Sequence, residues 1–210
     1  MIITYCGNLC VKAQIGDVSV SFNPPLRNDG KTPRFSSNVA LFSFKDKEQK
    51  FPHGKSDSEV FIIDGPGEYE VGGIFIKGVG VPEDTSKGSR INTIYSVLFD
   101  DINLCHLGAI KNSEIKPDIL ESLGTIDILF APVTGGDVAD PSAASKLATS
   151  FEPHIVIPLY SNEKGVSNES LKSFLKEEGS EGLSPIDKLT IKKKDIEGKE
   201  EDVVVLSPQI

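Results

Sequence analysis

The feature that most constrains this chain is a change of periodicity near residue 114. Before it, no stretch carries apolar residues at helical spacing; after it, helix and strand patterns alternate. Residues 2–5, 10–15 and 18–22 are short β-branched or alternating runs, parted by the turn signals Gly7-Asn8 and Gly16-Asp17. Residues 39–43, 60–63, 73–76, 93–99 and 103–107 continue the series. Asp100-Asp101 supplies a hairpin turn between the last two, because aspartate tolerates tight-turn geometry.

Beyond the change, Ile115, Ile119, Leu120 and Leu123 define a helix that Gly124 ends. Residues 127–132 read as a strand covered on both faces. Asp140-Pro141 is an N-cap followed by proline at the first helical position, opening a helix whose inward stripe is Ala144, Leu147, Ala148 and Phe151. Residues 155–158 are a second buried strand. Ser167 or Asn168 caps a third helix with Leu171, Phe174 and Leu175 inward, and residues 189–191 and 203–206 suggest a closing strand pair. Strands first and alternating helix and strand after fit an α/β (α+β) protein, economically a four-layer αββα sandwich, over one domain spanning 1–210.

Charge narrows the partners. The net charge is −9, with acids spread along the chain, which argues against a nucleic-acid backbone. The basic run Lys192-Lys193-Lys194 reads as a solvated turn. No segment has the ~18–20 consecutive apolar residues of a membrane span, and no signal peptide is evident. Cys6, Cys10 and Cys105 are an odd number at no framework spacing, which suits a reducing cytoplasm. Cys6-x-x-x-Cys10 has no second pair to complete a zinc knuckle, so two buried thiols are expected.

Several segments are collinear with a known family. Residues 3–11, a hairpin running to Phe22-Asn23-Pro24, residues 63–71, Asn92-Thr93-Ile94-Tyr95, Cys105-His106-Leu107-Gly108, residues 126–133 and residues 153–158 together resemble the metallo-β-lactamase superfamily, in its branch of small cytoplasmic zinc-dependent hydrolases. The likeness covers roughly residues 1–165. It implies the αββα sandwich, and zinc or a related divalent metal held by loops at strand ends.

The ligand positions that the resemblance implies are filled otherwise. The family's His-x-His-x-Asp-His follows an apolar strand, and here those positions carry Phe44, Asp46, Glu48 and Gln49. The later histidine position falls in Val81-Pro82-Glu83-Asp84, taken as a loop. Ala109 stands for the bridging aspartate, Leu159 follows Pro158 where the last histidine is expected, and Asn23-Pro24 replaces Asp-Pro. The chain has three histidines in all, His53, His106 and His154, so a dinuclear site built on imidazole is not expected.

The expectation is therefore a fold-family member without its metal centre, non-catalytic, with no cofactor. Its vestigial cleft would be lined by Phe44, Asp46, Glu48, Gln49, Glu83, His106, Ala109 and Leu159. A protein or small-molecule ligand, or a second copy in a homo-oligomer, would be the partner. The alternative is a hydrolase with a rearranged, oxygen-rich site in which Asp46, Glu48, Glu83, Asp84 and His106 hold one Mn²⁺ or Mg²⁺. His106 is either a residual acid/base or a hydrogen-bonded structural residue, and His154 reads as a surface or capping group. Gly65-Pro66-Gly67 lacks a phosphate-loop ending, Glu68 is expected to bond backbone or an arginine, and Thr134-Gly135-Gly136-Asp137 could form a backbone nest.

Overall fold

The computed structural model describes residues 1–26, 37–44, 54–55, 60–86, 88–161 and 168–209. Strands β1 (Ile2–Gly7), β2 (Cys10–Ile15) and β3 (Val18–Phe22) form an antiparallel meander, which β4 (Val39–Leu41), β5 (Gly54–Lys55) and β6 (Phe61–Ile63) extend. β7 (Gly67–Val71), β8 (Ile74–Thr85), β9 (Gly88–Phe99) and β10 (Ile102–His106) open a second sheet. α1 (Pro117–Leu123), β11 (Ile128–Pro132), α2 (Pro141–Phe151), β12 (Ile155–Leu159), α3 (Glu169–Glu177), β13 (Leu189–Thr190) and β14 (Asp202–Val203) complete the order.

The two seven-stranded sheets run β13-β1-β2-β3-β4-β6-β5 and β14-β12-β11-β10-β9-β8-β7. Both are mixed, with β3, β4 and β6 parallel in one and β10, β11, β12 and β14 parallel in the other. Facing rows of Ile3, Tyr5, Val11, Val20 and Phe22 from the first sheet and Ile74, Ile76, Tyr95, Val97 and Leu104 from the second belong to one buried cluster. A smaller cluster of Ala40, Phe42, Val60 and Ile62, with Leu26 against it, lies apart from that core. α1 touches β8, and α2 touches β11 and α3. The architecture is the expected αββα sandwich.

Local chemistry accounts for most boundaries. Asp100 and Asp101 both take positive φ, 55° and 61°, the geometry of the two-residue turns that suit strand twist. Asp140 Oδ accepts from Ala143 N at 2.8 Å, capping α2, and Glu152 ends it in left-handed geometry. α1 starts later than its apolar spacing suggests. Lys116 precedes Pro117 and is held extended (φ −64°, ψ 140°), so Ile115 stays outside the helix. Asn168 precedes α3 without a side-chain cap bond, and Ser167 lies outside the described residues.

Two expectations are corrected. Residues 189–191 and 203–206 do not pair with each other: β13 joins β1 at the edge of the first sheet and β14 joins β12 at the edge of the second. The chain between them changes sheets by burying Ile191 and Ile196. Val81-Pro82-Glu83-Asp84 is not a loop either. It lies inside β8, which pairs with β9 over its whole length from Phe75↔Leu98 to Thr85↔Gly88.

Candidate functional site

At one end of the sandwich the strand ends are tied by direct polar bonds. Asn23, in left-handed geometry (φ 45°) just after β3, donates Nδ2 to Ser43 Oγ at 3.1 Å and accepts Ser43 N on Oδ1 at 2.8 Å. Ser43 O accepts Thr93 N at 2.6 Å, which joins the first sheet to the second. Asn92, wholly buried in β9, donates Nδ2 to Leu107 O at 2.9 Å and accepts Ala109 N on Oδ1 at 2.8 Å. Gly108 (φ 67°) sits against both Asn92 and Ser43. The neutral amides and hydroxyl thus satisfy their neighbours within each sheet, and the Thr93–Ser43 backbone bond joins the two.

His106 belongs to the core. It is fully buried, stacked on Phe22 at 5.1 Å between ring centroids and tilted against Phe130 at 5.9 Å. Gly108 N donates to its Nδ1 at 2.9 Å, so that nitrogen carries no proton. Nε2–H then donates to Leu9 O, also at 2.9 Å. Burial pushes the imidazole down to about 4, against the pull of the Leu9 carbonyl. It is a neutral, doubly satisfied structural residue with no lone pair left for a metal.

Beside the polar ladder lies Arg90. Its guanidinium covers the half-buried Phe44 ring at 4.5 Å from the centroid. Nη2 donates to Ala109 O at 3.2 Å and to Asp137 O at 3.3 Å. Directly opposite on β8 is Glu83, 4% exposed, whose Oε2 accepts Lys111 N at 3.2 Å. Glu83 Oε1 and Arg90 Nε are buried without a hydrogen-bond partner among the described residues. Burial raises the Glu83 carboxyl, while the Lys111 and Asn112 N–H groups and the Arg90 charge oppose that rise.

Phe44, Glu83 and Ala109 are therefore gathered around Arg90. Leu159, buried in β12, and His106 are in the core instead, and Asp46, Glu48, Gln49 and His53 lie outside the described residues. Asp84 neighbours Glu83 on one strand, so the two point to opposite faces; Asp84 is exposed and accepts from Ser89. Arg90 and Asn92 are the residues that sequence reading missed. Their role depends on the β8–β9 register, which Pro82 and the charges of Glu83 and Asp84 disguise.

The remaining motifs serve as braces. Gly135 and Gly136 take positive φ, but Gly135 N donates to Ala139 O and the Asp137 carboxylate accepts from Ser86 N and Oγ. The loop thus clamps the β8–β9 tip, and the Ser86 bonds hold the Asp137 carboxyl below its ordinary range. Glu68 pairs with Lys77 at 3.3 Å rather than with backbone or arginine. Asp127, 3% exposed, accepts from Lys193 Nζ at 2.7 and 2.8 Å and from Asn103 N at 2.8 Å. His154 lies 3.5 Å from the same carboxylate, so neither Lys193 nor His154 is a purely solvated group.

A β-lactamase superfamily domain model matches residues 2–160. The chain belongs to the β-lactamase superfamily. Its fold is shared with a candidate Zn-dependent hydrolase of the metallo-β-lactamase superfamily from Thermotoga maritima, at TM-score 0.73 and 24% identity over 98% of this chain and 97% of that one. YhfI from Bacillus subtilis, a metallo-β-lactamase fold protein, aligns at TM-score 0.63 and 8% identity over 100% and 98%. Igni18, a metallo hydrolase from Ignicoccus hospitalis, aligns at 0.59 and 13% over 91% and 99%. At such identities the likeness is one of fold. No curated protein matches the chain significantly.

Among the described residues, the donors at hand do not fit the family's dinuclear zinc. Phe44, Ala109 and Leu159 offer no side-chain ligand atom, both His106 nitrogens are in use, and Glu83 is a single carboxylate. Among the described residues no group of three or more His, Cys, Asp or Glu converges. No helix among them is long and apolar enough to cross a membrane.

Proposed function

We propose that this chain is a superfamily member without a dinuclear metal centre, which acts in the cytoplasm by binding a ligand or partner rather than by hydrolysis. One observation carries the reading. Asn23 bonds Ser43 and Asn92 bonds the Ala109 amide, with the Thr93 N–H to Ser43 carbonyl bond linking the two pairs, at the strand ends where the family would hold its metals. Removing a metal from a site built for one would leave buried donors unpaired, at a cost of about 1–3 kcal/mol each. The ladder's own members have no such vacancy. The Glu83 Oε1 beside it, unpartnered among the described residues, is one carboxylate oxygen facing the Arg90 strand position, not a set of converging ligands. The contact surface in this reading is the half-buried Arg90–Phe44 pair, set between the ladder and the Asp137 loop.

Elemental analysis of protein purified without chelators tests the proposal. Substoichiometric zinc, iron and manganese, and no change in melting temperature with millimolar Mn²⁺ or Zn²⁺, are expected. One tightly held equivalent, together with metal-dependent ester or lactam hydrolysis that survives purification, overturns it.

A further inference from the structure

The first hairpin carries two thiols in the arrangement needed to join. Tyr5 opposes Val11, but the register then slips so that Gly7 opposes Cys10, leaving Cys6 as the extra residue of a bulge beside Cys10. Cys6 shares the outer face of its strand with Thr4, and Cys10 shares that face of the next strand with Lys12, the residue opposite Thr4. A bulge sets two residues of one strand against one of the other, so Cys6 and Gly7 both lie across from Cys10.

The environments of the two sulfurs differ in the sense that exchange requires. Cys6 is half-buried, whereas Cys10 is 3% exposed. The Cys10 thiol, with the Lys12 charge behind it, lowers the Cys6 pKa despite partial burial. Cys10 is driven well above the ordinary thiol range, first by the Cys6 thiol and then by burial. The turn between them is anchored from two sides: His106 donates to Leu9 O and Tyr5 Oη to Asn8 O, the latter at 3.0 Å. Cys105, wholly buried on β10, has no comparable exposure.

We infer that Cys6 and Cys10 form a thiol–disulfide exchange site, with Cys6 as the attacking thiol and Cys10 as the resolving one, taking a small disulfide such as oxidised glutathione as co-reactant. The Cys6 thiolate attacks one sulfur of that disulfide, its S–S bond breaks, and one small thiolate leaves. Cys10 then attacks the Cys6 sulfur of the mixed disulfide, passes its proton to the departing thiolate, and completes Cys6–Cys10. Two protein thiols are oxidised and one small disulfide is reduced to two thiols. Nothing in this chemistry uses the Arg90 region, so it stands or falls apart from the binding reading above.

Equilibration of the whole protein with reduced and oxidised glutathione, alkylation with iodoacetamide and peptide mass spectrometry test the site. The wild type should form a Cys6–Cys10 cross-link, with Cys6 in the reduced protein alkylating at least about tenfold faster than Cys10. Cys10→Ser should trap one glutathione on Cys6, Cys6→Ser should trap none on Cys10, and Cys105→Ser should behave as wild type. A wild-type protein that keeps both thiols free in excess oxidised glutathione overturns the inference. So does one that stops at a Cys6 adduct without cross-linking.

Discussion

Gly108 is packed on Ser43 so closely that a Cβ on the glycine would stand 2.5 Å from the serine Cβ and 2.7 Å from its Oγ. The contact brings the strand end after β10 against the one after β4, and it leaves no room for a side chain. Gly108→Ala combines a positive-φ cost of about 1 kcal/mol with overpacking of about 1–3. Its melting temperature should fall by roughly 5–15 °C in differential scanning calorimetry. A variant that melts within a degree of wild type would show that the two strand ends can part.

His106 gives a pH dependence whose sign follows from its burial. Its folded value, about 4, lies below the ordinary histidine value near 6.5, so the unfolded chain takes up the proton more readily. The stabilisation is complete above pH ~6.5 and drains away as pH falls from there towards 4, the loss reaching about 3 kcal/mol at pH 4. Urea titrations should show wild type losing more stability than His106→Gln over that interval. Side-chain NMR should keep the ring in its Nε2–H form at pH 5.

Glu83 works in the opposite sense. Burial raises its carboxyl, so the fold penalises the charged form as pH rises through the raised value and is relieved below it. Glu83→Gln keeps the shape without the charge. It should melt at the same temperature as wild type or a few degrees higher at pH 8, with the gap closing at pH 4. Arg90→Met, in contrast, abandons two carbonyls and the Phe44 ring and should cost about 2 kcal/mol by urea denaturation at either pH.

Asp127 anchors the 3-10 turn Lys193–Asp195 to the base of β11. Asp127→Ala strands Asn103 N and should cost about 2–4 kcal/mol, whereas Lys193→Met, at a half-exposed side chain, should cost only about 1. Chemical denaturation of the two variants in parallel measures the ratio. Equal costs would mean that the carboxylate has no role beyond the ion pair.

The legible parts of this molecule were those where one local rule sufficed. β11 and β12 show as unbroken apolar runs, α2 as Asp-Pro before a regular stripe, and the β9–β10 turn as two adjacent aspartates. The absence of donors at Phe44, Ala109 and Leu159 could be read by inspection, since it depends on residue type alone. Pairing over distance was not legible. Nothing in residues 189–191 names β1 as their partner, and Glu83 and Arg90 disguise a strand because two charges facing each other look like loop until the register is known. His106 misled for a related reason. A titratable side chain at a strand end resembles a site residue, and only the ring stack of Phe22 and Phe130 and the two bonds to its nitrogens make it part of the core.

The pairing of β1 with β13 also orders events during synthesis. Ile2 hydrogen-bonds within a ladder whose other side is Thr190, and Gln209 N reaches back to Tyr5 O. At ribosomal speeds of about 5–20 residues per second, the first strand leaves the ribosome roughly ten to forty seconds before its outer neighbour exists. Throughout that interval the nascent chain presents the unpaired outer edge of β1. β1 is thus made long before the strand that covers its outer edge.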